Sequence, residues 1–272
     1  MSKQKNHFIY GYAGNKREEV EGIVNKMDMT GIKRIVEPFC GTSALSFYIA
    51  KLYPTAFTYH INDVDPMLID LYKTMQDKDK CDMFEKNVNA ILSADTFCKE
   101  TYNKIIRDGT LEGYFIRNKV YAIRQGLFRQ NYVFKEIKFD SYPVVNFLRT
   151  EDVTITCGNG VDVLAQYEND KRAIVYLDPP YIQTCNDFYH GSTHGTRFNV
   201  YEYIYMKRYK KSNIYATLED VWIVNLVCQH YNILDTYAKL YQGSKKKTSH
   251  HFYRLERKRR KVAKNAENIE NI

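Results

Sequence analysis

The chain has 272 residues, 44% hydrophobic and 26% charged. This composition excludes collagen-like, disordered and disulfide-scaffold proteins and allows one large domain or a domain with an inserted module. Forty Lys and Arg against 32 Asp and Glu give a net charge of +8, which points toward an anionic partner. Residues 245–264 alone hold ten Lys or Arg and one Glu, so most of that excess sits in one stretch. Six separated cysteines (Cys40, Cys81, Cys98, Cys157, Cys185, Cys228) form no CxxC pair. Neither a structural zinc site nor a secreted disulfide framework is expected. The N-terminal stretch MSKQKNHFIYGYAGNK lacks a signal peptide's apolar stretch, and no apolar run reaches membrane-spanning length. The expectation is a soluble, intracellular protein.

Strand-like and helix-like segments alternate along the chain. Arg34 to Glu37 reads as a short strand, followed by Pro38-Phe39-Cys40-Gly41-Thr42-Ser43. A helix is predicted over Ala44 to Leu52, with Thr42 or Ser43 as N-cap. Thr58 to Asn62 is a second strand that stops at Asn62-Asp63. Pro66 then opens a helix whose Met67, Leu68, Leu71, Tyr72 and Met75 have helical spacing. Residues 78–150 change character: 85–125 reads as helical, and Lys99 to Lys138 carries nine basic against four acidic residues among aromatics. Alternation resumes with a strand Val153 to Cys157 and a helix Val161 to Tyr167. The strand Ala173 to Leu177 runs directly into Asp178-Pro179-Pro180-Tyr181. A Gly-, His- and Thr-rich loop (182–198) precedes a Tyr-rich basic helix (201–211), a strand (213–218) and a helix from Leu218 to Gln229. Two closing strands, 232–240 and 248–255, flank Gly243-Ser244-Lys245-Lys246-Lys247.

Asp178-Pro179-Pro180-Tyr181 carries the strongest chemical signal. Two prolines cannot continue a sheet ladder and force a rigid, extended corner. At the carboxyl end of a strand, where open α/β sheets bind ligands, the corner would present the Asp178 carboxylate and the Pro179 carbonyl as paired acceptors. Such a pair suits an amino group with two N–H bonds, and Tyr181 could stack on an extruded base. Gly41 lets the first strand-to-helix turn approach a ligand. Asp63, about twenty residues on, is placed to accept from ribose hydroxyls, or alternatively to cap a helix. Lys16, in Tyr10-Gly11-Tyr12-Ala13-Gly14-Asn15-Lys16, is expected to open a helix against the dipole. Either a carboxylate-bearing ligand or a plain surface position would account for it. His190 and His194 have spacing that could suggest metal, but no third ligand is nearby and no metal is expected. Arg257 to Lys261 reads equally as a nuclear localisation signal, a nucleic-acid arm or a solvated tail.

Together these elements resemble the Dam-like, D12-class, α-group DNA adenine-N6 methyltransferases. The order matches: aromatic-Ala-Gly-x-Lys (Tyr12 to Lys16), Glu-Pro-Phe-x-Gly (37–41), Asn-Asp (62–63), a recognition segment, then Asp178 to Tyr181. The resemblance implies an α/β, Rossmann-like S-adenosylmethionine-dependent methyltransferase sheet with an inserted, mostly helical target-recognition segment. The catalytic domain would comprise 1–77 and 151–256, the insert 78–150, and a basic tail 257–272. It further implies that Tyr12, Lys16, Glu37, Phe39, Cys40, Gly41, Asp63, Val64, Asn159 and Asp178 surround S-adenosyl-L-methionine, and that Asp178, Pro179, Pro180 and Tyr181 hold the target adenine.

Gly126-Leu127-Phe128-Arg129-Gln130-Asn131 resembles the family's Gly-Leu-x-Arg-x-Asn. Arg124, Arg129 and Asn131 are therefore the expected contacts to double-stranded DNA, with Lys245, Lys246 and Lys247 on phosphates. Tyr12 stands where the family usually has Trp, and Ser43 where it often has Gly. The Phe-Asn-x-Pro-x-Gly that normally follows Asn131 is missing, so the target sequence GATC is not carried over. The expected activity is methylation of adenine N6 in flipped-out DNA. RNA methylation and a non-catalytic nucleic-acid-binding subunit are the competing readings.

Overall fold

The computed structural model describes residues 16–94, 103–105, 107–121, 136–182, 196–240 and 247–258. In chain order the first elements are α1 (Val20–Val24), β1 (Arg34–Glu37), α2 (Ala44–Leu52), β2 (Thr58–Asp63), α3 (Pro66–Gln76) and α4 (Lys78–Ser93). Then come α5 (Leu111–Tyr121), a 3-10 turn (Phe139–Ser141), α6 (Pro143–Thr150), β3 (Asp152–Cys157), α7 (Gly160–Tyr167) and β4 (Ala173–Leu177). The remainder is α8 (Thr196–Lys207), β5 (Ile214–Glu219), α9 (Trp222–Cys228), β6 (Tyr231–Leu240) and β7 (Lys247–Arg257).

The described strands form one sheet in the order β3-β2-β1-β4-β5-β7-β6. The five from β3 to β5 are parallel, and β7 and β6 close the sheet as an antiparallel pair. Strand order reverses between β1 and β4, the switch point at which open α/β sheets bind ligands.

Alternation along the central strands divides the core into two layers. Ile174 and Tyr176 face one side with Ile35, Tyr59 and Ile61, packing under α2 to α6. Ala173, Val175 and Leu177 face the other side with Val36, Ile214 and Ala216, packing under α7, α8 and α9. A strand covered on both faces must be apolar at every position, and all five residues of β4 are buried. The described helices of 78–150 join the first of these layers through Phe84, Val88, Phe115 and Phe147.

Local signals explain the helix starts. Pro66 occupies the first turn of α3, and Asp65 caps it by accepting from the N–H groups of Met67 (3.0 Å) and Leu68 (3.3 Å). Asp77 caps α4 through Lys80 N–H at 3.1 Å, which starts that helix seven residues earlier than the expected 85. Trp222, the chain's one tryptophan, opens α9 just past the carboxyl end of β5 and is 73% exposed. α9 was expected from Leu218, but Leu218 and Glu219 complete the buried strand β5.

Candidate active site

Ordered turns leave the carboxyl ends of β1, β2, β3 and β4, and one buried side chain ties three of them together. Asn62, 1% exposed in β2, donates through Nδ2 to the Pro38 carbonyl (2.9 Å) after β1 and to the Gly158 carbonyl (3.0 Å) after β3. Its Oδ1 accepts from the Thr156 hydroxyl at 2.8 Å. Because Thr156 spends its proton there, its oxygen must accept from His60 Nε2 (2.8 Å), which leaves His60 Nδ1 to accept from the Tyr167 hydroxyl (3.0 Å). Burial and the Arg34 guanidinium push the His60 pKa down, favouring the neutral ring this chain of bonds requires.

The turn after β1 is strained locally and heavily tethered. Gly41 (φ +46°) and Ser43 (φ +52°) both adopt left-handed backbone. Gly41 donates its N–H to Asp63 Oδ2 at 2.9 Å and accepts from the Tyr72 hydroxyl at 2.5 Å. Ser43 occupies the N-cap position of α2 as expected but makes no cap bond. Its hydroxyl instead donates to Glu37 Oε1 (3.1 Å), which also accepts the Ser46 N–H (2.9 Å). Phe39 sits against Gly160, where an added Cβ would fall 2.6 Å from the ring and 2.8 Å from the Pro38 carbonyl. Cys40 is buried, and desolvation pushes its thiol well above the ordinary range, which makes it unreactive.

Three carboxylates end three adjacent strands here. Burial pushes Glu37 up to about 7, against the pull of its bonds to Ser46 and Ser43, with Asp178 adding to the rise. Burial likewise raises Asp63, although the Gly41 and Asp65 N–H groups favour its charged form. Asp65 also accepts from the Tyr114 hydroxyl (2.9 Å), joining α5 to the residue that caps α3.

Asp178 follows β4 directly and is closely engaged. Lys16 Nζ lies 2.6 Å from Oδ2 and the Tyr181 hydroxyl donates to Oδ1 at 3.1 Å. Lys16 is 5% exposed and sits in a turn ahead of α1. The carboxylate it meets thus belongs to the chain itself, so Lys16 is neither the start of a helix nor a surface lysine. Tyr181 is 6% exposed, with the Lys16 ammonium 5.2 Å above its ring.

The described residues therefore gather Lys16, Glu37, Phe39, Cys40, Gly41, Asp63, Val64, Asn159 and Asp178 to Tyr181 at one edge of the sheet. Asn159 spends its side-chain oxygen capping α7 through Val161 N–H at 3.0 Å. Lys247 is exposed at the first position of β7. The Glu219–His250 register places it three residues beyond the end of β5, on the same side of the sheet. Tyr12, Arg124, Arg129, Asn131, Lys245, Lys246, His190 and His194 lie outside the described residues, as does Arg259 onward. Sequence reasoning missed Ser43 and Ser46 as partners of Glu37, and Glu219, a buried acid in an otherwise apolar strand. That mismatch of residue and pattern was visible in the sequence.

Sheet order and site position define a Rossmann-like methyltransferase fold. A family model described as D12 class N6 adenine-specific DNA methyltransferase matches residues 12–125 and 114–248. The chain belongs to that family and is a DNA methyltransferase. It is also similar to the Type II methyltransferase M.MjaIII of Methanocaldococcus jannaschii, 23% identical over 263 residues, covering 85% of this chain and 86% of that protein. Among the described residues no cluster of three or more His, Cys, Asp or Glu could hold a metal ion. No described helix is long and apolar enough to cross a membrane.

Proposed function

We propose that the chain transfers a methyl group from S-adenosyl-L-methionine to the N6 amine of an adenine flipped out of duplex DNA. The observation carrying this reading is the Asp178 carboxylate, held at the switch point by a double-proline corner and facing the Glu37 side of the sheet. The donor set suits the cofactor: carboxylates end β1, β2 and β4, two of them raised by burial. They match a ligand carrying an ammonium, a sulfonium and a ribose diol. Glu37 would face the ammonium and Asp63 the ribose hydroxyls, with Phe39 to Gly41, Val64, Asn159, Lys16 and Tyr12 around them. When bound, S-adenosyl-L-methionine supplies a methyl group already activated on sulfur.

The chain's own task is then positional. Asp178 and the Pro179 carbonyl each accept one N6 hydrogen, turning the nitrogen lone pair out of the ring's conjugation. The entering amine replaces the Tyr181 hydroxyl as a donor to Asp178. Freed from Asp178, the Tyr181 ring stacks on the base. Arg124, Arg129 and Asn131 contact the duplex, and Lys245 to Lys247 neutralise phosphates.

Tritiated-methyl transfer to matched DNA and RNA duplexes tests this. Incorporation into DNA at N6 of adenine is the expected result; incorporation into RNA alone, or none with normal cofactor binding, refutes it. Asp178→Asn keeps the shape and one acceptor, and should lower turnover by roughly 10²–10³-fold while leaving DNA binding intact.

A further inference from the structure

We propose that Glu219 and His250, opposite one another on β5 and β7, are positioning residues that hold the Asp178–Tyr181 corner in its working geometry. Glu219 acts through the backbone just past the corner, and His250 through the Tyr181 ring. The inference rests on the reading of Asp178–Tyr181 as the adenine site.

The corner has a mechanical problem that these residues answer. Pairing of β4 with β5 runs from Val175 to Leu177, and Pro179 and Pro180 have no N–H with which to extend it. Glu219 takes over two residues past the prolines: its carboxylate accepts the N–H of Ile182. It does so from a position 1% exposed at the end of β5. The tetrapeptide is thus pinned on one side by the last ladder position, Leu177, and on the other by Ile182.

His250 supports the remaining member. It is fully buried, with its ring centroid 4.9 Å from that of Tyr181 at an interplanar angle of 46°. On its other side it stacks on Tyr237 of β6, 5.5 Å away at 22°. Tyr181 therefore leans at a tilt on His250, which is itself stacked on Tyr237 in the antiparallel hairpin. Burial, with Lys16 and Lys239 nearby, pushes His250 down to about 4. It stays neutral at working pH and serves as a flat face rather than as an acid.

Glu219 and His250 are direct cross-strand partners. Two apolar side chains there would serve the sheet at least as well, because burying a carboxylate and an imidazole costs desolvation that apolar residues avoid. Both polar residues instead touch the segment that bears the chemistry.

The test compares Glu219→Ala with Glu219→Gln and His250→Ala with His250→Phe in the full chain. Single-turnover methylation, dissociation constants for cofactor and DNA, and amide exchange at Ile182 are read for each. A misplacement of about 1 Å at the reacting group costs up to about 10²-fold in rate. Glu219→Ala should lower the single-turnover rate roughly 10–100-fold and unprotect the Ile182 amide, with both dissociation constants within about threefold of wild type. Glu219→Gln keeps an oxygen acceptor and should restore rate and protection. His250→Ala should fall about tenfold and His250→Phe, which keeps a flat ring, should recover.

Wild-type rates in both alanine variants, or equal losses in Ala and Gln, overturn the proposal. Should Glu219→Ala fail to fold, the His250 pair decides alone. A wild-type chain that methylates no DNA refutes the reading of the site. Ile182 exchange still tests the tether in that case, and an Ile182 amide equally protected in Glu219→Ala overturns it.

Discussion

Replacing Glu37 with glutamine should make the protein more stable above neutral pH. An ordinary glutamate titrates at 4.5; buried beneath the turn after β1, Glu37 does so at about 7. The folded state therefore keeps this proton to a higher pH than the unfolded chain does. Its contribution to stability is complete below pH 4.5 and is lost as pH rises through about 7. At about 1.4 kcal/mol per pH unit, the gap corresponds to a loss of about 3 kcal/mol by pH 8.

Glutamine fills the same volume and presents the same Oε1 acceptor to Ser46 and Ser43, but has no proton to lose. Urea denaturation of both proteins from pH 5 to pH 8 measures the effect directly, since every other titrating group is shared and cancels in the difference. The variant should lie within about 1 kcal/mol of the wild type near pH 5 and exceed it by about 3 kcal/mol at pH 8. Parallel stability curves would refute the argument. Binding has a companion signature: if an ammonium docks on Glu37, cofactor binding near pH 7 releases a proton from the wild type and none from the variant. Calorimetry in two buffers of different ionisation enthalpy measures it.

Three further outcomes are expected. Asn62→Leu strips partners from two carbonyls and a hydroxyl in one step. It should cost roughly 3–9 kcal/mol at about 1–3 kcal/mol per unsatisfied group, read by chemical denaturation; a loss under 1 kcal/mol would mean that Asn62 does not tie the turns. Gly160→Ala places a methyl 2.6 Å from the Phe39 ring. It should destabilise by about 1–3 kcal/mol and weaken cofactor binding, measured by thermal shift and by calorimetry. Tyr114→Phe removes the bond to Asp65 and should cost about 1 kcal/mol without altering the helix content seen by circular dichroism.

Much of the sheet was legible because buried parallel strands write themselves as unbroken apolar runs. Ala173 to Leu177 was read to the residue for that reason, and α3 announced itself through Pro66 and its helical spacing. Tyr-rich segments carry no such signal. Tyrosine suits core and surface alike, so α8 was expected at 201–211 and begins at Thr196. The double-proline corner was legible because its rigidity is local. The partners of its aspartate were not, since Lys16 lies 162 residues away along the chain. Ser43 shows the same limit: its type predicted a helix cap, and the αL backbone together with buried Glu37 gave its hydroxyl another acceptor. Single-residue propensities describe near neighbours, while the site is assembled from turns that meet through tertiary pairing.

The placement of Trp222 makes the protein its own optical probe. With one indole in the chain, 73% exposed at the rim of the sheet beside β5, the red edge of the emission spectrum comes from a single known address. A partner that covers this rim shifts that emission to the blue or quenches it. A ligand confined to the turns of β1 and β2 leaves it largely unchanged. Docking on the sheet's carboxyl edge can therefore be timed in a stopped-flow cell without attaching a dye.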